Sequence, residues 1–253
     1  MKEEEMGIFR KFSGRSDNDR SEPEPDVNIV LPYETLNVPG TEAVETCLRL
    51  RAEGAGRITP VILGDPKNLG SVLEGLNAND SSPQTVIERS EGITMQSFLD
   101  KRLAEEGEYY RSVERGEWSD NVAPSHNLTG PTEVVKMKDV PLKSVAICKV
   151  PTPKSWEVPA YLCFGPWNES PTAEEHVALL RYWHENYGAD IITLLGTVIE
   201  CTVSRPPTER EQALALAWEQ FVYCPDIVTQ GTDTLSALAA ALCGGKTWFF
   251  WWD

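Results

Sequence analysis

An α+β fold is what the sequence predicts, on three observations. Apolar runs of strand length recur, among them Thr59-Pro-Val-Ile-Leu63 and Ser144-Val-Ala-Ile-Cys-Lys-Val150. Other segments carry apolar residues at helical spacing between capping and stop residues. The chain closes on Trp248-Phe249-Phe250-Trp251-Trp252-Asp253, five consecutive aromatics. Such a run costs solubility unless it is buried or kept for a partner. The expected architecture is a C-terminal β-β-α-β-β-α-α-β sandwich preceded by a smaller α/β region.

Taken in order, residues 1–27 read as a disordered tail, because Ser21-Glu-Pro-Glu-Pro-Asp26 and its charged surroundings cannot bury enough surface to fold. Residues 28–111 read as the α/β region. Ile29-Val-Leu-Pro32 is a short strand, and Thr41 or Gly40 caps a helix through Arg51 with Ala43, Cys47 and Leu50 on one face. Thr59–Leu63 is a strand, Gly64-Asp65-Pro66 a turn, and Leu69 to Leu76 a helix. Residues 79–91 are mostly polar. Thr94 to Arg111 then places Met95, Phe98, Leu99 and Leu103 at helical spacing. Residues 112–142, poor in apolar groups, read as a connector.

The C-terminal region, 143–253, is denser in signals. Strands are predicted at Ser144–Val150 and Trp156–Phe164, then a turn at Gly165-Pro166-Trp167-Asn168. Thr172-Ala-Glu-Glu175 has capping-box form and opens a helix that Gly188 stops. His176, Leu180, Trp183, His184 and Tyr187 share one face of it. Asp190–Leu195 and Thr197–Ser204 form a hairpin about Gly196. A helix follows from Pro206-Pro207 to Tyr223, apolar on nearly every side, then one from Asp233 to Leu242, then a strand from Lys246 to Trp252. Along that strand Trp248, Phe250 and Trp252 alternate with Phe249 and Trp251.

Composition narrows the function. The chain has 253 residues, 41% of them hydrophobic, and a formal net charge of −16. An acidic chain repels phosphate backbones, so no nucleic-acid partner is expected. No apolar run reaches the length of a membrane span. The acidic Met1-Lys2-Glu3-Glu4-Glu5 start lacks a signal-peptide core, which points to the cytoplasm. The six cysteines, at 47, 148, 163, 201, 224 and 243, have neither zinc nor thioredoxin spacing and read as buried hydrophobes. Neither a dinucleotide nor a phosphate-loop motif occurs, so no cofactor is expected.

Two groups of residues can carry chemistry. His184 beside Glu185 and Tyr187 is the first; as a metal motif it fails, because position 188 is Gly188 and His176 lies about 12 Å of helical rise away. Acid–base work by His184 stays open. The second is the polar loop Cys224–Gly231, with Asp226, Thr229 and Gln230, which either lines a pocket or serves helix capping by Thr232 or Asp233. Glu157, Glu200 and Arg205 could join such a pocket. Trp248, Phe250, Trp251 and Trp252 form the aromatic cluster. Whether the chain is an enzyme is open, and no metal site is expected.

The segment Arg181-Tyr-Trp-His-Glu-Asn-Tyr-Gly-Ala-Asp190 resembles part of a bacterial family known as a domain of unknown function (DUF 4253). The likeness runs through Arg205-Pro-Pro, Glu211-Gln-Ala-Leu-Ala, Phe221-Val-Tyr-Cys-Pro-Asp226 and Gly231-Thr-Asp-Thr-Leu-Ser-Ala-Leu-Ala to the Trp-Trp-Asp end. It implies a self-contained C-terminal domain of bacterial cytosolic proteins and brings no activity, cofactor or catalytic residue. The first expectation for function is a protein-interaction or toxin-neutralising, immunity-like module with another protein as partner. The alternative is a small-molecule binder or enzyme with its pocket near His184 and the Asp226–Gln230 loop.

Overall fold

The computed structural model describes residues 31–54, 56–78, 81–118, 135–136 and 140–253. The tail 1–27, the start of the strand expected at Ile29–Pro32 and much of the 112–142 connector lie outside them. Among the described residues no helix is long and apolar enough to cross a membrane.

The fold is mixed α+β. The strands are β1 (Thr35–Val38), β2 (Thr59–Gly64), β3 (Val135–Lys136), β4 (Val140–Pro141), β5 (Val145–Val150), β6 (Ala189–Leu195), β7 (Val198–Val203) and β8 (Thr247–Trp251). The helices are α1 (Ala43–Glu53), α2 (Gly70–Ala78), α3 (Pro83–Ser90), α4 (Met95–Arg111), α5 (Val158–Leu162), α6 (Ala173–Tyr187), α7 (Arg210–Tyr223) and α8 (Leu235–Leu242). Among the described residues, six strands form one sheet in the order β1-β5-β2-β6-β7-β8, and β3 pairs with β4 apart from it. All neighbours in the large sheet are antiparallel except β2 and β6, which run parallel with Ile62 opposite Thr193.

Strand β2 lies between β5 and β6, so residues from both ends of the chain share one sheet. It is wholly buried, as Val61, Ile62 and Leu63 require. Alternation splits it between two cores. Val61 and Leu63 join Ala146, Cys148 and Ile191 on the face covered by α4, α6, α7 and α8. Ile62 joins Val145, Ile147 and Ile192 on the opposite face, under Ala43 and Cys47 of α1.

Three elements differ from expectation for identifiable reasons. Residues Trp156–Phe164 are not a strand: a 3-10 turn at Ser155–Glu157 leads into α5, and Cys163 ends it at φ 50°. The apolar residues Val158, Tyr161 and Phe164 are three apart, a helical spacing, and Pro159 sits in the first turn where its missing N–H leaves no gap. The C-terminal order is therefore β-α-α-β-β-α-α-β. Helix α3 occupies the stretch that looks merely polar; Ser82 caps it, accepting from the Thr85 N–H at 3.2 Å, and Val86 is buried. Strand β1 follows, rather than includes, Leu31 and Pro32.

Helix α6 follows the sequence closely. The Thr172 hydroxyl accepts from the Glu175 N–H at 3.3 Å, and the Glu175 carboxylate accepts from the Thr172 N–H at 2.9 Å. Gly188 ends the helix at φ 63°, and a Cβ there would lie 2.0 Å from the Ser204 Oγ. Glycine is thus required by both backbone and space.

Candidate functional site

His184 stands on the last turn of α6, where the chain turns into β6. The Arg205 guanidinium donates to the carbonyl oxygens of His184 at 3.0 Å and Glu185 at 2.8 Å, closing the helix end that lacks internal donors. Asp190, on β6, accepts through one oxygen from two sides. The Ser155 hydroxyl donates to its Oδ1 at 2.6 Å, and the same Oδ1 lies 3.1 Å from the His184 Nδ1. The Trp156 ring packs on the imidazole, centroids 4.4 Å apart. Even so, the His184 and Asp190 side chains are 34% and 33% exposed.

This geometry has a chemical consequence. A carboxylate is an acceptor only, so beside Asp190 the His184 Nδ1 is the donor, and Nε2 is the ring nitrogen left for another partner. The ring is oriented, plated by an aromatic and open to solvent. The arrangement is not a nucleophilic triad. Ser155 bonds the carboxylate rather than the imidazole, so nothing draws off its proton.

The other candidate residues sit elsewhere. Asp226 accepts from the Asp253 N–H at 3.0 Å and from the Gln230 amide at 3.0 Å, while the Thr229 hydroxyl donates to the Pro225 carbonyl at 3.3 Å. The loop winds into a π-helical turn at Ile227–Thr232. The cap of α8 is Thr234, which accepts from the Ala237 N–H at 3.2 Å, rather than Thr232 or Asp233. Register fixes where this loop lies. Ala189 opposes Val203 and Thr247 opposes Thr202, so the start of β6 and the start of β8 share one end of the sheet. Asp226, bonded to Asp253, is at the other end. The structure therefore brings His184 together with Ser155, Trp156 and Asp190 and leaves Glu185 exposed beside them in sequence, while Asp226, Thr229 and Gln230 lie together near the C-terminus.

Tyr187 turns away from His184 and packs on Trp248, 5.7 Å between ring centroids. Of the outlying residues, Glu157 is buried against the Thr152 hydroxyl at 2.6 Å and Lys154 at 3.1 Å. Glu200 faces Phe249 and Thr193 across the sheet.

The aromatic cluster is core. Trp248, Phe250 and Trp252 are buried on one face of β8, while Phe249 and Trp251 on the other are half-buried. Phe250 stacks on Trp183 at 5.5 Å, and Tyr223 packs edge-on against Phe250 at 4.9 Å. His176 belongs here too. Its Nδ1 lies 2.6 Å from the Tyr223 hydroxyl and its Nε2 3.0 Å from that of Ser170, with Phe164 and Trp252 against its ring. Burial pushes its pKa down to about 3, with Arg102 adding in the same direction. Helical spacing alone put His176 on the apolar face; the two hydroxyl partners come from residues 6 and 47 positions away, which no local pattern reveals.

A pH dependence follows. In the unfolded chain a histidine takes up a proton near pH 6.5, whereas His176 resists until about pH 3. The unfolded state therefore binds more protons between these values, and stability is full above about pH 6.5 and falls below it. We expect His176 alone to cost about 2 kcal/mol by pH 5. Urea unfolding at pH 7.5 and pH 5 measures this; a His176→Gln variant should show a correspondingly weaker dependence, and an unchanged one would refute it.

All six cysteines are free, and burial pushes the Cys47 and Cys148 thiols up to about 11, away from nucleophilic use.

Residues 146–253 match a family described as "Domain of unknown function (DUF4253)", a match that starts within β5 and runs to the last residue. No curated protein and no solved structure matches the chain.

Proposed function

We propose that the chain binds a small molecule at the His184 corner and that His184 exchanges a proton with it. The observation that supports this is the combination of a carboxylate-held imidazole, a tryptophan plate and a third of the side chain open to solvent. Most buried histidines are spent on internal hydrogen bonds, as His176 is. His184 spends one nitrogen on Asp190, and its Nε2 is set to accept a proton from a bound group. A general base placed so contributes about 10²–10⁴-fold to a reaction. Trp156 offers a flat apolar surface for the rest of the ligand.

The test is a fragment screen read on the His184 ring by NMR. We expect bound fragments to shift the His184 ring signals and to lose binding in His184→Ala and Trp156→Ala. We also expect Asp190→Asn to abolish the fixed Nδ1–H tautomer. Fragments that bind the variants as well as the parent, or a screen that never perturbs His184, would sink the proposal.

A second reading is favoured by the net charge of −16. A surface so acidic suits a basic protein partner, as in a toxin-neutralising module, and long-range steering would make that association sensitive to salt. Both readings take the chain as a bacterial cytosolic protein, with the six unpaired cysteines in support.

A further inference from the structure

A separate group of side chains fills the wedge between α6 and α7. Glu219, on α7, accepts from the Tyr182 hydroxyl through Oε1 at 3.0 Å and from the Trp183 indole N–H through Oε2 at 3.0 Å. Each oxygen keeps a further lone pair. Burial raises the Glu219 carboxyl pKa. Among the described residues no lysine or arginine pairs with it, and both of its donors are neutral. Tyr187 feels the Glu219 charge and packs on Trp248. Trp248 is 2% exposed, and its indole Nε1 has no acceptor.

The wedge thus holds a half-buried carboxylate without counter-charge, the rings of Tyr182 and Tyr187, and one unused donor. Two neutral donors satisfy one lone pair on each oxygen but leave the charge of the carboxylate, and the cost of stripping water from it, uncompensated. A cation is the missing complement: carboxylate and aromatic faces together hold ammonium groups. A single carboxylate offers too few oxygens to hold a bare metal ion. The idle Trp248 N–H asks for an oxygen on the same ligand.

We propose that the wedge is a binding site for a small organic ammonium ion bearing a hydroxyl or other oxygen acceptor. The cationic group rests against Glu219 and Tyr187, and the oxygen takes the Trp248 indole N–H. The charge of the whole chain raises the local concentration of such cations. This site is independent of the His184 corner, whose partners are Trp156 and Asp190.

Choline is the probe, with tetramethylammonium and sodium as comparisons at matched ionic strength, read by tryptophan fluorescence of the full chain. We expect saturable quenching by choline, weaker response to tetramethylammonium, and none to sodium. Glu219→Gln and Tyr187→Leu should each weaken choline about tenfold, while His184→Ala keeps it. Should Glu219→Gln fail to fold, Tyr187→Leu decides the matter, since its side chain makes no bond to α7. Choline binding that is equal in the variants, or no saturable response up to about 100 mM, would overturn the assignment.

Discussion

Deleting residues 248–253 is expected to unfold the chain. Trp248, Phe250 and Trp252 are each 2% exposed or less, and they are the packing surface for Trp183, Tyr223 and His176. Losing one such side chain costs about 3–5 kcal/mol, so losing three removes about 10 kcal/mol, the scale of a whole domain's stability. The deletion also strips β7 of its β8 partners from Val198 to Cys201. It frees Asp226 from the Asp253 N–H as well. Circular dichroism melts should show no cooperative transition in the truncated chain. A cooperative melt with near-native helix content would mean that the last strand is dispensable and that its aromatics serve a partner instead.

The second large effect concerns a cut rather than a trim. We expect residues 143–253, expressed alone, not to fold, although they span the family match. Within that fragment β5 loses both its sheet neighbours, β1 and β2, and β6 loses β2. The sheet falls into a lone strand and a three-stranded remnant with a bare apolar edge at Ile191 to Leu195. The core also loses Val61, Leu63, Phe98 and Tyr110. Adding residues 1–118 as a second chain should restore order by supplying β2 and α4. A dispersed amide spectrum and a cooperative melt from the fragment alone would refute this.

Much of the fold could be read from the sequence wherever one residue type settles a local conformation. The Thr172–Glu175 box and Gly188 bracket α6 as expected, and Gly196 marks the β6–β7 hairpin at φ 57°. Alternation in β8 split its aromatics into the two sets that the structure places on opposite faces, one buried and one half-buried. Elements whose evidence lies in distant partners were harder. Val86 is the one buried apolar side chain of α3 and gives no periodic signal. β1 is a four-residue edge strand defined by pairing with β5 more than a hundred positions on. The position of β2 inside the sheet is invisible locally, because its neighbours are chosen by tertiary packing.

The sites divide in the same way. His184 stood out by residue type, but its partners Ser155 and Asp190 could not be named, since the 3-10 turn that Ser155 opens runs into residues expected to form the Trp156–Phe164 strand. Glu219 passed unnoticed in a helix that reads as apolar, and only the Tyr182 and Trp183 donors mark it. Asp226 looked like a pocket residue because polar loops often are; its two bonds hold the loop to itself and to the terminus.

The place of β2 also bears on how the chain is made. Residues 59–64 leave the ribosome well before the strands that flank them, residues 145–150 and 189–195. At ordinary translation speeds the wait for β6 is roughly ten seconds. Until β5 is made, roughly two-thirds of the way through that wait, the run Val61-Ile62-Leu63 has no native strand neighbour on either side. The strand that ends wholly buried is the one that waits longest for its last sheet neighbour during synthesis, which makes it the natural point of capture for a chaperone.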